Sequence, residues 1–327
     1  MTSAFPIVRL RHFETGDAAT RQRIAAEVDE ICRTTGFLAI AEHGIAPEVI
    51  ADAWDKAKMF FDQPAETKQQ VKVPYPGYPF GYMGPGSEAL AASRGMATPP
   101  DLKESFNGGP PSVPPGLTDA DALAFCYAPT PWPDAPQGFR EAWAAYYAAL
   151  EDLASRIMTL FAAALGLPDD FFANKIDHPV SALRALNYPE VDVAPAPGQL
   201  RAGAHSDYGS LTILLPQPGS EGLQIEQADG SWRDVPPIPG AFVINIGDLM
   251  ARWTNERWVS TVHRVVNPSR PEAAEARRQS FAYFHQANWF ANIECLDVCL
   301  APGETPKHPP VLSGPYLMSK FKSTVAA

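Results

Sequence analysis

Two histidines and one aspartate in this 327-residue chain have the types and spacing of a metal-ligand set: His205-Ser206-Asp207, then His263 farther along. Two imidazoles and one carboxylate are the donors of a facial triad for non-haem Fe(II), a site that leaves coordination positions open for a bidentate 2-oxoacid and dioxygen. Arg278-Gln279-Ser280 follows. A guanidinium grips a carboxylate through two parallel charge-assisted hydrogen bonds, and a hydroxyl two residues along a strand points to the same side. Together these residues point to oxygen-activating iron chemistry with a dicarboxylate bound nearby. A lone H-x-D is a weak signal in a chain with seven histidines and 37 acidic residues. His12-Phe13-Glu14, ahead of the first expected helix, is such a chance match. His205 and Asp207 stand apart because His263 and the Arg-x-Ser pair fall on separate expected strands in the right order.

The elements that must hold these residues are legible as periodicity. Residues 5–10 alternate as a short strand, and residues 17–35 place Ile24, Val28, Ile31 and Cys32 at helical spacing before Gly36. Residues 37–40 form a compact strand, and Pro47 opens a helix carrying Ile50, Trp54 and Ala57 on one face. A long irregular stretch is expected from there to about residue 135. The longest helical signal is 139–165, with a broad face of Trp143, Tyr146, Tyr147, Leu150, Leu153, Ile157 and Phe161, ended by Gly166 and Pro168. It reads as a core helix bracing the outside of a sheet.

From Ser181 the pattern turns to short strands at 182–188, 211–215, 222–227, 241–246, 261–266 and 279–285. Six such runs suggest a jelly-roll or related small barrel. A short helix over 316–325 closes the chain. The fold class is therefore mainly β with flanking helices: an N-terminal helical and irregular region (1–175) packed on a jelly-roll core with a C-terminal helix (176–327), as one compact unit.

Composition narrows the function further. With 37 acidic against 26 basic residues the net charge is −11, which disfavours nucleic acid or an anionic membrane as partner. Cys32, Cys126, Cys295 and Cys299 form no C-x-x-C pair, consistent with reduced thiols in the cytoplasm. The first residues lack a signal-peptide pattern, and no apolar run reaches the about 18 residues of a transmembrane helix. The 34 prolines cluster in 74–85, 99–136 and 302–315, which read as long surface connections, suited to a lid over a site.

Alternation along 278–284 sends Arg278, Ser280, Ala282 and Phe284 to one face and Gln279, Phe281 and Tyr283 to the other. An inward arginine needs an anionic partner to be tolerated, and a bound carboxylate supplies one.

These residues resemble the Fe(II)/2-oxoglutarate-dependent oxygenases of the isopenicillin N synthase-like family, over nearly the whole chain. Phe5-Pro6-Ile7-Val8 is similar to the family's opening strand, and Gly36-Phe37-Leu38 through His43-Gly44-Ile45 to its G-F-F…N-H-G-[IV] signature. Asp101-Leu102-Lys103-Glu104-Ser105-Phe106 resembles D-x-K-E-x-F, and Asn187-Tyr188-Pro189 resembles N-Y-x-P. Asn245-Ile246-Gly247-Asp248, Trp253-Thr254-Asn255 and the segment from Ser260 to Val265 resemble N-x-G-D, its following T-N, and S-x-x-H-R-V.

The resemblance implies a double-stranded β-helix and a reaction in which 2-oxoglutarate and O2 yield succinate, CO2 and an oxidised small-molecule substrate. It implies iron on His205, Asp207 and His263, with Arg278 and Ser280 on the distal carboxylate of 2-oxoglutarate and Tyr188 assisting. Two positions depart from the pattern: Glu42 precedes His43-Gly44, and Leu186-Asn187-Tyr188-Pro189 stands at N-Y-Y-P. The acidic ligand Asp207 argues against the halide-binding variant of this chemistry. The alternatives are an iron oxidase that does not use 2-oxoglutarate and, in a different class, a non-catalytic binding protein.

The substrate pocket is expected among residues 74–82, 102–107, Arg184, Phe284, Leu317 and Phe321. Arg184 either pairs a substrate carboxylate or forms a structural ion pair; Phe284 either lines the cavity or packs in the core.

Overall fold

The computed structural model describes residues 5–96, 98–189, 195–267 and 277–325. Its first half runs β1 (Ile7–Arg9), α1 (Leu10–Thr15), α2 (Ala18–Thr34), β2 (Phe37–Ala41), α3 (Pro47–Phe61), α4 (Ala65–Gln69), β3 (Gly81–Met83), β4 (Glu104–Gly108), α5 (Ala120–Phe125) and α6 (Phe139–Ala164). Strands dominate thereafter: β5 (Ala182–Tyr188), β6 (Ala202–His205), β7 (Leu211–Pro216), β8 (Leu223–Glu226), β9 (Trp232–Asp234), β10 (Ala241–Ile246), α7 (Asp248–Trp253), β11 (His263–Val265), β12 (Arg278–His285), β13 (Asn292–Ile293), β14 (Val311–Leu312) and α8 (Ser313–Val325).

Local chemistry explains the helix boundaries. Asp17 caps α2 by accepting from the Thr20 amide at 2.9 Å, and Gly36, at φ 61°, turns the chain out of the helix and into β2. Pro47 occupies the first turn of α3, where its missing N–H costs nothing. In α6 the buried side includes Trp143, Tyr146, Tyr147, Leu150 and Ile157, so tertiary burial at about 1.5–3 kcal/mol per large side chain holds the helix.

Two sheets face each other. The larger has strand order β1-β2-β10-β7-β12-β5-β4-β3, and the smaller β6-β11-β8-β9. All pairings in them are antiparallel except β1 with β2. The outer face of the large sheet packs against α2, α3 and α6, with Phe281 and Tyr283 of β12 meeting Tyr146 and Tyr147 of α6. Between the sheets a second apolar cluster joins Phe37, Leu186, Leu223, Val243, Val265 and Ala282. This is the jelly-roll architecture, mainly β with helices at both ends.

Several expectations need correction. The stretch expected to be irregular up to about residue 135 contains β3 and β4, which extend the large sheet beyond β5. The run Glu-Ser-Phe-Asn-Gly of β4 shows no apolar alternation because all five residues are buried, polar ones included. Strands from both sides of residue 175 therefore share one sheet. β6 and β9 were not expected either, being short and carrying few apolar residues. The first strand is shorter than 5–10, because Leu10 begins α1, and the last helix starts at Ser313 rather than Tyr316.

Among the described residues no helix is long and apolar enough to cross a membrane. Gly36→Ala should lower stability by about 2 kcal/mol or more, because a Cβ there meets the Val259 carbonyl oxygen and the left-handed backbone strains any L side chain. A lowered urea midpoint with unchanged denaturant dependence is the expected result.

Candidate metal and co-substrate site

β6 and β11 are neighbours in the small sheet, and the register sets His205 opposite His263, with ring centroids 4.4 Å apart. Asp207 lies just past the end of β6, and its carboxylate Oδ1 stands 3.9 Å from His205 Nε2 and 3.8 Å from His263 Nε2. The three donor atoms lie within 4.8 Å of one another. Each imidazole is oriented through its other nitrogen: His205 Nδ1–H to the Gly203 carbonyl at 2.7 Å, and His263 Nδ1–H to the Thr261 carbonyl at 3.2 Å. That tautomer leaves Nε2 as a lone-pair donor on both rings.

Asp207 is anchored through its second oxygen. Oδ2 accepts from the Thr212 hydroxyl at 2.6 Å and from Asn245 Nδ2 at 2.7 Å, freeing Oδ1 to face the histidines. Burial pushes the Asp207 carboxyl up, but the adjacent His263 and His205 and the two hydrogen bonds outweigh it, so its pKa is lowered. Burial, reinforced by His263, pushes His205 down to about 3, against the opposing pull of Asp207. A charged carboxylate beside a neutral imidazole is the protonation state a divalent metal requires.

The loop holding Asp207 is pinned from behind. The Asp248 amide donates to the Asp207 carbonyl at 2.8 Å, and Gly247 passes so close to Gly209 that a Cβ on it would collide with the Gly209 carbonyl oxygen. Thr212 and Asn245 were not singled out for this role. Their sequence signal is a lone polar residue inside an otherwise apolar, wholly buried strand, as Asn245 is in β10.

Arg278 opposes Tyr188 in the register of β12 with β5, and its guanidinium lies 5.2 Å from the Tyr188 ring centroid. It is 3% exposed; Nε donates to the Ser220 hydroxyl at 3.2 Å, while Nη1 is buried with no hydrogen-bond partner among the described residues. Burial lowers its pKa, with Tyr188 acting the other way. An orphaned buried guanidinium N–H fits a ligand carboxylate. Ser280, also buried, lines the same cavity of about 800 Å³, together with Arg278, Tyr188 and the His205/Asp207/His263 cluster.

Arg184 and Phe284 line this cavity too, as do Leu317 and Phe321 of α8 and residues 74–80. Of the segment 102–107 only Asn107 reaches it. Arg184 makes an ion pair with Glu88 at 3.2 Å and also faces the pocket, so it combines features of both readings. His12 and Glu14 are surface ion-pair partners of Glu42 and Arg156, remote in role from any metal. His43 accepts from the Ile45 amide and packs edge-on against Phe242.

A family model for the 2OG-Fe(II) oxygenase superfamily matches residues 180–287, and one described as non-haem dioxygenase in morphine synthesis N-terminal matches 5–135. A 2-oxoglutarate-Fe(II) type oxidoreductase of Aspergillus fumigatus is 32% identical over 98% of this chain and 93% of its own length. The chain belongs to the 2-oxoglutarate/Fe(II) oxygenase superfamily. Validamycin A dioxygenase of Streptomyces hygroscopicus subsp. limoneus is 33% identical over 88% of this chain and 78% of its own. A full-length Neurospora crassa protein, solved in complex with alpha-KG and thymine, superposes with a TM-score of 0.85 at 30% identity, covering 98% of this chain and 97% of that one. This oxygenase is accordingly an Fe(II)- and 2-oxoglutarate-dependent dioxygenase, with O2 as the further co-substrate.

Removing the Asn245 amide (Asn245→Ala) should raise the Fe(II) dissociation constant by about 10–100-fold while leaving the fold in place, measured by anaerobic titration alongside circular dichroism. The buried His285 is pushed by burial to about 3 and is hydrogen-bonded to Ser210 at 2.7 Å. Unfolded chain takes up this proton below about pH 6.5 whereas the fold resists it, so stability is full above that pH and declines as pH falls toward about 3. In the metal-free protein, His285→Asn should remove up to about 1.4 kcal/mol per pH unit of the decline between about pH 6.5 and 5, read from urea midpoints.

Proposed function

We propose that His205, Asp207 and His263 are the iron ligands, that Arg278 and Ser280 hold the distal carboxylate of 2-oxoglutarate against the ring of Tyr188, and that the reaction oxidises a C–H bond of a small-molecule substrate. The observation that carries the reading is a converged His/Asp/His donor set sharing one cavity with a buried arginine whose Nη1 has no partner among the described residues. Iron bound there supplies dioxygen activation, with 2-oxoglutarate as electron donor leaving as succinate and CO2.

The chain's own work is positioning and protection. Asp207 stays ionised because the neighbouring His263 and His205, together with Thr212 and Asn245 on its second oxygen, outweigh its burial, and both imidazoles present the same nitrogen. Arg278 fixes one end of the co-substrate, which sets where its other end meets the metal. Phe284, Leu317 and Phe321 wall the cavity and keep bulk water from a reactive centre.

The unmatched Nη1 of Arg278 supports 2-oxoglutarate use over an iron oxidase that dispenses with it, and the complete donor set argues against a non-catalytic role. The thymine in the crystal of the Neurospora protein supports a compact organic substrate here. Four free thiols support a reducing compartment such as the cytoplasm.

His205→Ala should abolish Fe(II) binding and turnover with little loss of stability; full activity in that variant would sink the assignment. Arg278→Ala should keep iron and raise the half-saturating 2-oxoglutarate concentration about a hundredfold, followed by the visible charge-transfer band under anaerobic conditions.

A further inference from the structure

Part of the cavity wall carries polar groups that neither the metal set nor the co-substrate clamp uses. Strand register places them. Phe284 lies opposite Thr212, whose hydroxyl holds Asp207, whereas Arg184 lies opposite Ala282, four residues and about 13 Å along β12 from Arg278. Arg184 therefore sits near the height of the metal set, away from the clamp. One of its N–H groups bonds Glu88 at 3.2 Å, its guanidinium lies 5.8 Å from the Phe284 ring centroid, and the side chain lines the cavity.

Two amide side chains flank it. Asn107 is the Cα partner of Arg184 on β4; its Nδ2 donates to the Pro79 carbonyl at 3.4 Å, and its Oδ1 is buried with no partner among the described residues. Gln286 follows Phe284 by two residues and lines the same cavity, and its Oε1 is also buried with no partner among the described residues. Buried carbonyl oxygens left unmatched are costly, and a donor on a ligand relieves that cost.

Charge narrows the ligand further. Arg184 and Lys103 are balanced by Glu88 and Asp101, through contacts of 3.2 Å (Arg184–Glu88), 3.2 Å (Lys103–Glu88) and 2.7 Å (Lys103–Asp101). Burial acts to raise the Glu88 carboxyl, but Arg184 and Lys103 hold it at about 2, so the balance persists at neutral pH. Within this cluster of described residues every cation faces a carboxylate and every carboxylate a cation, so the wall around Arg184 presents no net charge to a substrate.

Building on the iron and 2-oxoglutarate reading, we propose that this wall selects a neutral planar substrate bearing adjacent carbonyl and N–H groups, a lactam or cyclic imide. Its carbonyl oxygen accepts from Arg184, its N–H groups donate to Gln286 Oε1 and Asn107 Oδ1, and its ring packs on Phe284. A pocket built from such groups discriminates strongly against analogues lacking the matching donor.

The test is anaerobic titration of the full chain loaded with Fe(II) and 2-oxoglutarate, using uracil, 1,3-dimethyluracil, benzoate and arginine as probes. The charge-transfer band is recorded for each protein first; binding of each probe is then followed by calorimetry. The expected result is that uracil binds at least about tenfold more tightly than the other three. Gln286→Leu and Asn107→Leu should each weaken uracil at least about tenfold while binding 1,3-dimethyluracil as wild type does, which shows that the pocket is intact. Benzoate or arginine binding more tightly than uracil, or leucine variants that bind uracil like wild type, would overturn the proposal while a normal band leaves the iron and 2-oxoglutarate reading standing. Absence of the band in the wild-type protein would overturn that reading and this one with it.

Discussion

Everything near the metal site answers to one requirement: keeping the Asp207 carboxylate charged although it is buried. An isolated carboxylate moved out of water costs several kcal/mol, and the usual escape is protonation, which would end metal binding. Thr212 from β7 and Asn245 from β10 prevent this by donating to one oxygen, while two imidazoles face the other. Those donors come from adjacent strands of the large sheet, whereas His205 and His263 come from the small one. The site exists only where the two sheets close on each other. Gly247 serves the same end, since any side chain there would push the Asp207 loop off β10.

The large sheet divides its labour by face. Its outer side is apolar and aromatic, stacked against α6, and carries most of the burial that stabilises the domain. Its inner side carries the functional groups of β5 and β12 in alternate positions. β4 shows the division most sharply. Lys103, just before it, and Asn107 serve the cavity side, whereas Glu104 turns outward to Lys68 at 2.8 Å, Tyr82 at 2.5 Å and Asn187 at 2.7 Å. Two buried ionic clusters thus lie on opposite sides of one strand. Such clusters add little net stability compared with apolar packing; the inner one leaves the cavity wall around Arg184 with paired charges.

The cavity's outer boundary is built from the least regular segment, residues 74–80, together with α8. Lys320 of α8 bonds Asp248 at 2.8 Å, and the Asp248 amide in turn holds the Asp207 carbonyl. The terminal helix is therefore tied to the same loop that presents the Asp207 carboxylate.

The sequence by itself singled out the His205/Asp207/His263 group, the Arg-x-Ser pair and the strands that carry His263 and Ser280, because ligand chemistry admits few residue types and strand alternation assigns faces without further information. It also located α2, α3 and α6 to within about a residue or two, since wide apolar stripes and capping residues are local signals. It did not reveal β3, β4, β6 or β9, short runs without an apolar alternation that become strands by pairing, β9 with the nearby β8 and the others with strands farther along the chain. Only the tertiary structure decided that Thr212 and Asn245 orient Asp207, that Glu88 neutralises Arg184, and that Asn107 and Gln286, each with a buried oxygen unmatched among the described residues, line the cavity. The physical reason is that a side-chain hydrogen bond or ion pair, whether across five residues as from Thr212 to Asp207 or across many, leaves no periodic trace in the chain; it is fixed by strand register and loop path, which are properties of the folded sheet.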